Sequence, residues 1–211
     1  MKPFSKTLTV VVDPNGICVD QQIVGAGDLA LDGALISDGA YTSTTAQQIG
    51  LESAGNLSGI DFTFTGTGYD SNGFYQASLA EVVTGPNANT VETTAYFLTI
   101  TSIAADAAVG TDIEIGPVDQ AVSQVFPMSQ YSEFNIGMQV AFLAGSPNIS
   151  VQFTLDDIFD QTLTIGWLAP TALSGITSSA STNLSAGVSA VRLIVNSGTD
   201  ADSIRLNVNQ P

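Results

Sequence analysis

Apolar and polar residues alternate with a period of two along most of this chain, and no helical period appears between Ser53 and Ile103. Ile60, Phe62 and Phe64 fall on one side of an extended segment and Asp61, Thr63 and Thr65 on the other. That pattern predicts an antiparallel strand with one wet face. Gly66-Thr67-Gly68 through Asn72-Gly73 then forms a hairpin corner, since Asn-Gly favours tight hairpin turns. Phe74 to Val83 returns, Thr84 to Asn89 makes a second corner, and Val91 to Ile103 predicts one long strand. Asp106 to Gly110 turns it into Thr111 to Ile115. The result is a β-meander on which the remaining strands build.

Ahead of it, Thr7 to Val12 reads as a strand closed by the turn Asp13-Pro14-Asn15-Gly16, with Ile17 to Ile23 pairing back. Tyr41 to Ala46 reads as strand or exposed connector, and Gln47 to Leu51 as a short strand. The stretch from Gly116-Pro117 to Pro127 loses the strand period and is bracketed by prolines, so a seam is expected there between residues 1–117 and 118–211. In the second half Phe134, Ile136 and Met138 alternate with polar residues, as do Ile149, Val151, Phe153 and Leu155. Thr162 to Trp167 is a further strand candidate, and Thr171 to Gly187 reads as a surface loop with one short ordered piece. Val191, Leu193, Val195 and Ile204, Leu206, Val208 predict a closing hairpin, with Arg192 and Arg205 on its wetter face, paired with local acids. The expected fold is all-β: two consecutive antiparallel domains, sandwich or jelly-roll-like.

Composition narrows the function classes. With 44% hydrophobic and 11% charged residues over 211 positions, the chain is not of the disordered type and can bury a core. Twenty acids oppose only Lys2, Lys6, Arg192 and Arg205, for a net charge of −16. Such a surface repels phosphate backbones and anionic membranes, so neither nucleic acid nor membrane is expected as a partner. No apolar run approaches the ~18 residues of a membrane span. The opening Met-Lys-Pro-Phe segment alternates like a strand rather than a signal peptide, and a soluble product made in a cytoplasm is expected. Cys18, the one cysteine, has apolar neighbours and reads as a buried structural thiol.

Candidate chemistry is sparse. Without histidine, Ser-His-Asp and Cys-His nucleophiles and the usual zinc sites fall away. Asp156, Asp157 and Asp160 are the carboxylates that glycosidase-type chemistry would use, although a loop onset carries solvated acids equally well. Asp200 and Asp202 place oxygens on alternate residues, as calcium loops do, but lack the glycine spacing and distal glutamate of an EF-hand. Asn56, Asn148 and Asn183 stand in Asn-x-Ser sequences that we read as chance, and Gly25 to Gly33 lacks the Gly-Lys-Ser/Thr of a phosphate loop. Phe62, Phe64, Phe74 and Tyr75 suit a sugar platform or, at strand spacing, a core; Tyr69 and Trp167 complete the aromatics available for glycan contact. On this reading no catalytic residue, cofactor or metal is assigned.

The blocks Ser53-Ala54-Gly55-Asn56-Leu57-Ser58-Gly59-Ile60, Phe62 to Thr67, Glu81 to Ala88 and Val91 to Ile103 resemble a family of tailed-bacteriophage virion structural proteins. Phe134 to Gly137, Val151 to Asp157 and Val191 to Gly198 are similar to its second unit, and together these stretches cover most of the chain. The Thr-Gly-Pro-Asn-Ala block is the specific part. The resemblance implies two β-rich domains in a virion, no catalysis, and a capsid decoration (cement) protein bridging major capsid protein subunits, with a homotrimer expected. A tail, neck or head-fibre component touching host glycans is the alternative it leaves.

Overall fold

The computed structural model describes residues 3–128, 135–160 and 162–210. Its elements are β1 Phe4–Thr9, β2 Cys18–Ile23, β3 Gly27–Asp28, β4 Ile36–Ser37, β5 Ala40–Glu52, β6 Asp61–Tyr69, β7 Tyr75–Thr84 and β8 Thr90–Glu92. There follow β9 Tyr96–Ala105, β10 Val109–Val122, β11 Phe126–Pro127, β12 Ile136–Ala144, β13 Asn148–Thr154, a 3-10 turn at Thr171–Leu173, β14 Ala180–Leu184, β15 Ala190–Ser197 and β16 Ser203–Asn209. The protein is all-β and antiparallel. Among the described residues no helix is long and apolar enough to cross a membrane.

Two compact units emerge. One comprises Val12–Ser71 and Tyr75–Val118, the other Met1–Val11, Asn72–Phe74 and Asp119–Pro211. Neither unit is one continuous stretch of sequence, and the first strand groups with the C-terminal residues. In the first unit β7, β6 and β9 are neighbours, with Phe62 opposite Val83 and Ala105, and Phe64 opposite Glu81 and Ile103. β9 also pairs with β3 and β5, β5 with β4 and β8, and β10 with β2. Phe62, Phe64, Phe97, Ile49, Leu51, Ile100 and Ile113 are fully buried in its core. Truncating one such phenylalanine to alanine costs about 3–5 kcal/mol.

In the other unit, one four-stranded sheet runs β1-β16-β12-β14. β15 pairs with β13, β11 and the end of β10 in a second set of strands. Ile204, Leu206 and Val208 of β16, Met138 and Val140 of β12, and Val191, Leu193 and Val195 of β15 are buried. This is the sandwich logic of two apolar faces with polar residues alternating outward.

Several expectations are corrected. Ile17–Ile23 does not return onto Thr7–Val12: β1 pairs with β16 and β2 with β10. Nor do β15 and β16 form a closing hairpin, because each joins a different set of strands. Strand content does not lapse at Gly116-Pro117, where β10 runs straight through. A Cβ on Gly116 would lie 1.8 Å from the Asp13 carbonyl oxygen, and Asp13 N donates to Pro117 O at 3.2 Å. There the Gly-Pro pair marks close backbone approach within a continuing strand. Gly66-Thr67-Gly68 is likewise strand, with register shifts against β9. The long strand expected over Val91–Ile103 is broken instead. Thr93 Oγ1 accepts from Ile49 N and donates to Ala95 O, while Glu81 accepts from the amides of Thr94 and Ala95. Thr162–Trp167 forms no strand among the described residues, and Phe134 lies outside them.

Candidate interaction surface

Asp156, Asp157 and Asp160, the carboxylates weighed for glycosidase-type chemistry, each hold a backbone amide of their own loop. Asp156 Oδ2 accepts from Gly166 N at 2.6 Å, and Asp157 Oδ1 from Phe159 N at 2.9 Å. Asp160 Oδ1 accepts from both the amide and the hydroxyl of Thr162, which hold its carboxyl below the usual range. Such local side chain–backbone bonds are the ordinary work of aspartate in loops. With these acids turned onto backbone amides, the apolar members of the same segment face outward. Leu155, Phe159, Leu163 and Leu168 are all exposed, Phe159 at 80%. The sequence reading attended to the acids and missed these side chains; their departure from strict alternation after Leu155 was the available signal.

Asp202 is 5% exposed, and its Oδ2 accepts from Thr199 N at 2.7 Å. A Cβ on Gly145 would fall on its Oδ1, so this carboxylate anchors a turn against a glycine. Among the described residues no three His, Cys, Asp or Glu side chains gather in a metal-holding group. Arg192 does not lie on a wet face: it is 6% exposed, 4.0 Å above the Trp167 ring, with Nε donating to Gln152 Oε1 at 2.9 Å. The Trp167 indole N–H donates to Asn72 O at 3.0 Å. Trp167 is thus packed beneath a cation, while Arg205 is exposed. Phe62 and Phe64 are core. Tyr69 and Tyr75 meet edge to face at 5.8 Å; Tyr75 is 53% exposed, and burial pushes the Tyr69 hydroxyl up. Asn56 and Asn183 are exposed; Asn56 Oδ1 accepts from Ser58 N and Oγ, and Asn148 Oδ1 from Asn196 Nδ2.

Two further surfaces had no clear sequence signal. Asp20, Glu52, Asp112 and Glu114 line a groove of about 540 Å³. Desolvation, a hydrogen bond to Asp20 and the charges of Asp20 and Glu52 raise the Glu114 carboxyl above its ordinary value. On the sheet β1-β16-β12-β14, a shallow depression of about 360 Å³ is lined by Gln139, Ser181, Asn183, Asn207 and Asn209 among others. The register sets Gln139 between Ser181 and Asn207, and Gly137 between Asn183 and Asn209, giving uncharged amide and hydroxyl rows. Charge is divided unequally between the units. Lys2, Lys6, Arg192 and Arg205 all belong to the unit carrying β12–β16, which leaves the other with acids and no cation.

The sequence matches no family model and no curated protein. Among solved structures, the chain aligns to "Structure of infectious bursal disease virus Gt strain" at 12% identity, covering 99% of this chain and 70% of that one, with a TM-score of 0.23. The corresponding Gx strain structure aligns at 11% identity with the same coverages and a TM-score of 0.20. Scores that low do not establish a common fold.

Proposed function

We propose that this chain is a non-enzymatic structural protein of a bacteriophage virion, a decoration protein that lies on the outside of the head and bridges major capsid protein subunits. The observation that carries the reading is the segment Leu155–Leu168, whose carboxylates are spent on its own turns while Leu155, Phe159, Leu163 and Leu168 stay exposed. Exposed large apolar side chains concentrated in one segment favour a protein partner. The charge pattern supports an exterior position, since a unit bearing acids alone is well solvated and is repelled by packaged nucleic acid. The neutral amide and hydroxyl face supplies a second protein-contact surface. A homotrimer at threefold positions, assembled in the host cytoplasm, completes the proposal.

Immunogold electron microscopy of the source virus, with antibody against the purified protein, tests it. Label over the head is expected, and unlabelled intact particles overturn the virion assignment. Label confined to neck or tail favours the second reading, a component touching host glycans. The exposed Tyr75 beside Tyr69 is the observation in its favour.

A further inference from the structure

The geometry points to the outer edge of β7 as a docking site for an extended segment of a partner protein carrying lysine or arginine, added as one more strand. β7 spans Tyr75–Thr84 and ends the strand order β5-β9-β6-β7; beyond β6 it pairs with no strand among the described residues. An open edge of that length presents a ladder of backbone donors and acceptors, which proteins ordinarily guard with lysine, proline or a covering element. Tyr75-Gln76-Ala77-Ser78-Leu79-Ala80-Glu81-Val82-Val83-Thr84 contains neither lysine nor proline. Its single charge, Glu81, is directed to the amides of Thr94 and Ala95.

The faces flanking the edge suit an added strand. Ser78, Ala80 and Val82 are exposed on one side, Val82 at 60%. The register continues that side through Thr63 to Ala104 and through Thr65 to Ser102, a surface of small uncharged residues. On the other side Leu79 and Val83 sit at the margin of the core, so an incoming strand with alternating apolar residues would extend it.

Charge selects the occupant. The unit that contains β7 has no lysine or arginine, and Asp61 of β6 stands beside the end of β7, where its Oδ1 accepts from Thr84 Oγ1. A second copy would set one acid-only unit against another, whereas a cationic segment finds the Asp61 carboxylate near its end. The same acidity guards the edge against self-pairing without a lysine on β7. This inference stands whether or not the protein belongs to a virion.

Amide hydrogen exchange on the full chain tests it, using a short peptide of alternating valine and threonine with a lysine at each end. Outward amides of β7 are expected to exchange quickly in the free protein and to slow by about tenfold or more near peptide saturation. Added salt should weaken the effect several-fold. Ser78→Lys with Ala80→Lys, both exposed positions, should abolish it while leaving the thermal unfolding midpoint in place; Asp61→Asn should weaken it. The inference is overturned if the lysine peptide gives no protection or if the same peptide ending in glutamate protects equally. Protection that grows with protein concentration alone also overturns it, by making a second copy the occupant.

Discussion

The amide of Ala88 donates to the carbonyl of Gly55 across 2.8 Å, so the two sequence blocks Ser-Ala-Gly-Asn and Thr-Gly-Pro-Asn-Ala meet in space. Leu57 N donates to Pro86 O, Gly85 N to Ile60 O, and Asn56 bridges to Asn87. Ser53 Oγ ties the pair to β10 through Asp112 O. These two blocks therefore hold two corners together.

Gly85 is required by that closeness. A Cβ there would lie 2.5 Å from Leu57 O and 2.8 Å from Phe62 Cε2, both in packed surroundings. Gly85→Ala should lower unfolding stability by about 2 kcal/mol in urea titrations. Gly59→Ala, with nothing near its Cβ, should leave stability within about 0.5 kcal/mol of the parent.

Arg192 and Trp167 can be read by fluorescence, because Trp167 is the chain's one tryptophan. Arg192→Ala removes the cation over the ring and the donor to Gln152, and should cost about 2–4 kcal/mol. Native emission should shift to the red as water reaches the indole. Arg192→Lys keeps the charge but not the planar donor geometry, and should fall between the two.

Glu114 gives the acidic groove a pH signature. Burial, the bond to Asp20 and neighbouring carboxylates raise its folded value above that of the unfolded chain. The native state thus holds the extra proton, and this group's contribution declines as pH rises from about 4.3 through the folded value. Glu114→Gln should stabilise the protein at neutral pH and flatten that part of the pH–stability curve, measured by urea midpoints; an unchanged curve would refute the assignment.

Cys18 should be silent in the native state. Burial, reinforced by the Asp32 charge, pushes its thiol up to about 12. A thiol-reactive chromogenic disulfide should label it only as fast as the protein opens, and at once in denaturant.

Salt should stabilise the fold. In a unit with acids and no cations, screening relieves repulsion without breaking compensating ion pairs. The thermal midpoint is expected to climb by several degrees between low and moderate sodium chloride, in the opposite sense to a protein held by surface ion pairs.

The sequence by itself determined that this chain is all-β, because period-two alternation such as Ile60-Asp61-Phe62-Thr63-Phe64 is compatible only with extended backbone half buried. It also determined the acidity and the absence of histidine chemistry, which are matters of composition. Tertiary structure alone decided which strands are partners. β1 finds β16 at the far end of the chain, and β15 and β16 part company, because pairing follows from shared faces and not from nearness in sequence. It alone decided that Gly116-Pro117 lies inside a strand and that Arg192 is buried on an indole, since both depend on residues distant in sequence. The contact surfaces were illegible for the same reason. An exposed Phe159 and a β7 edge that no further strand pairs among the described residues are defined by what does not pack against them, and only the assembled fold reveals that.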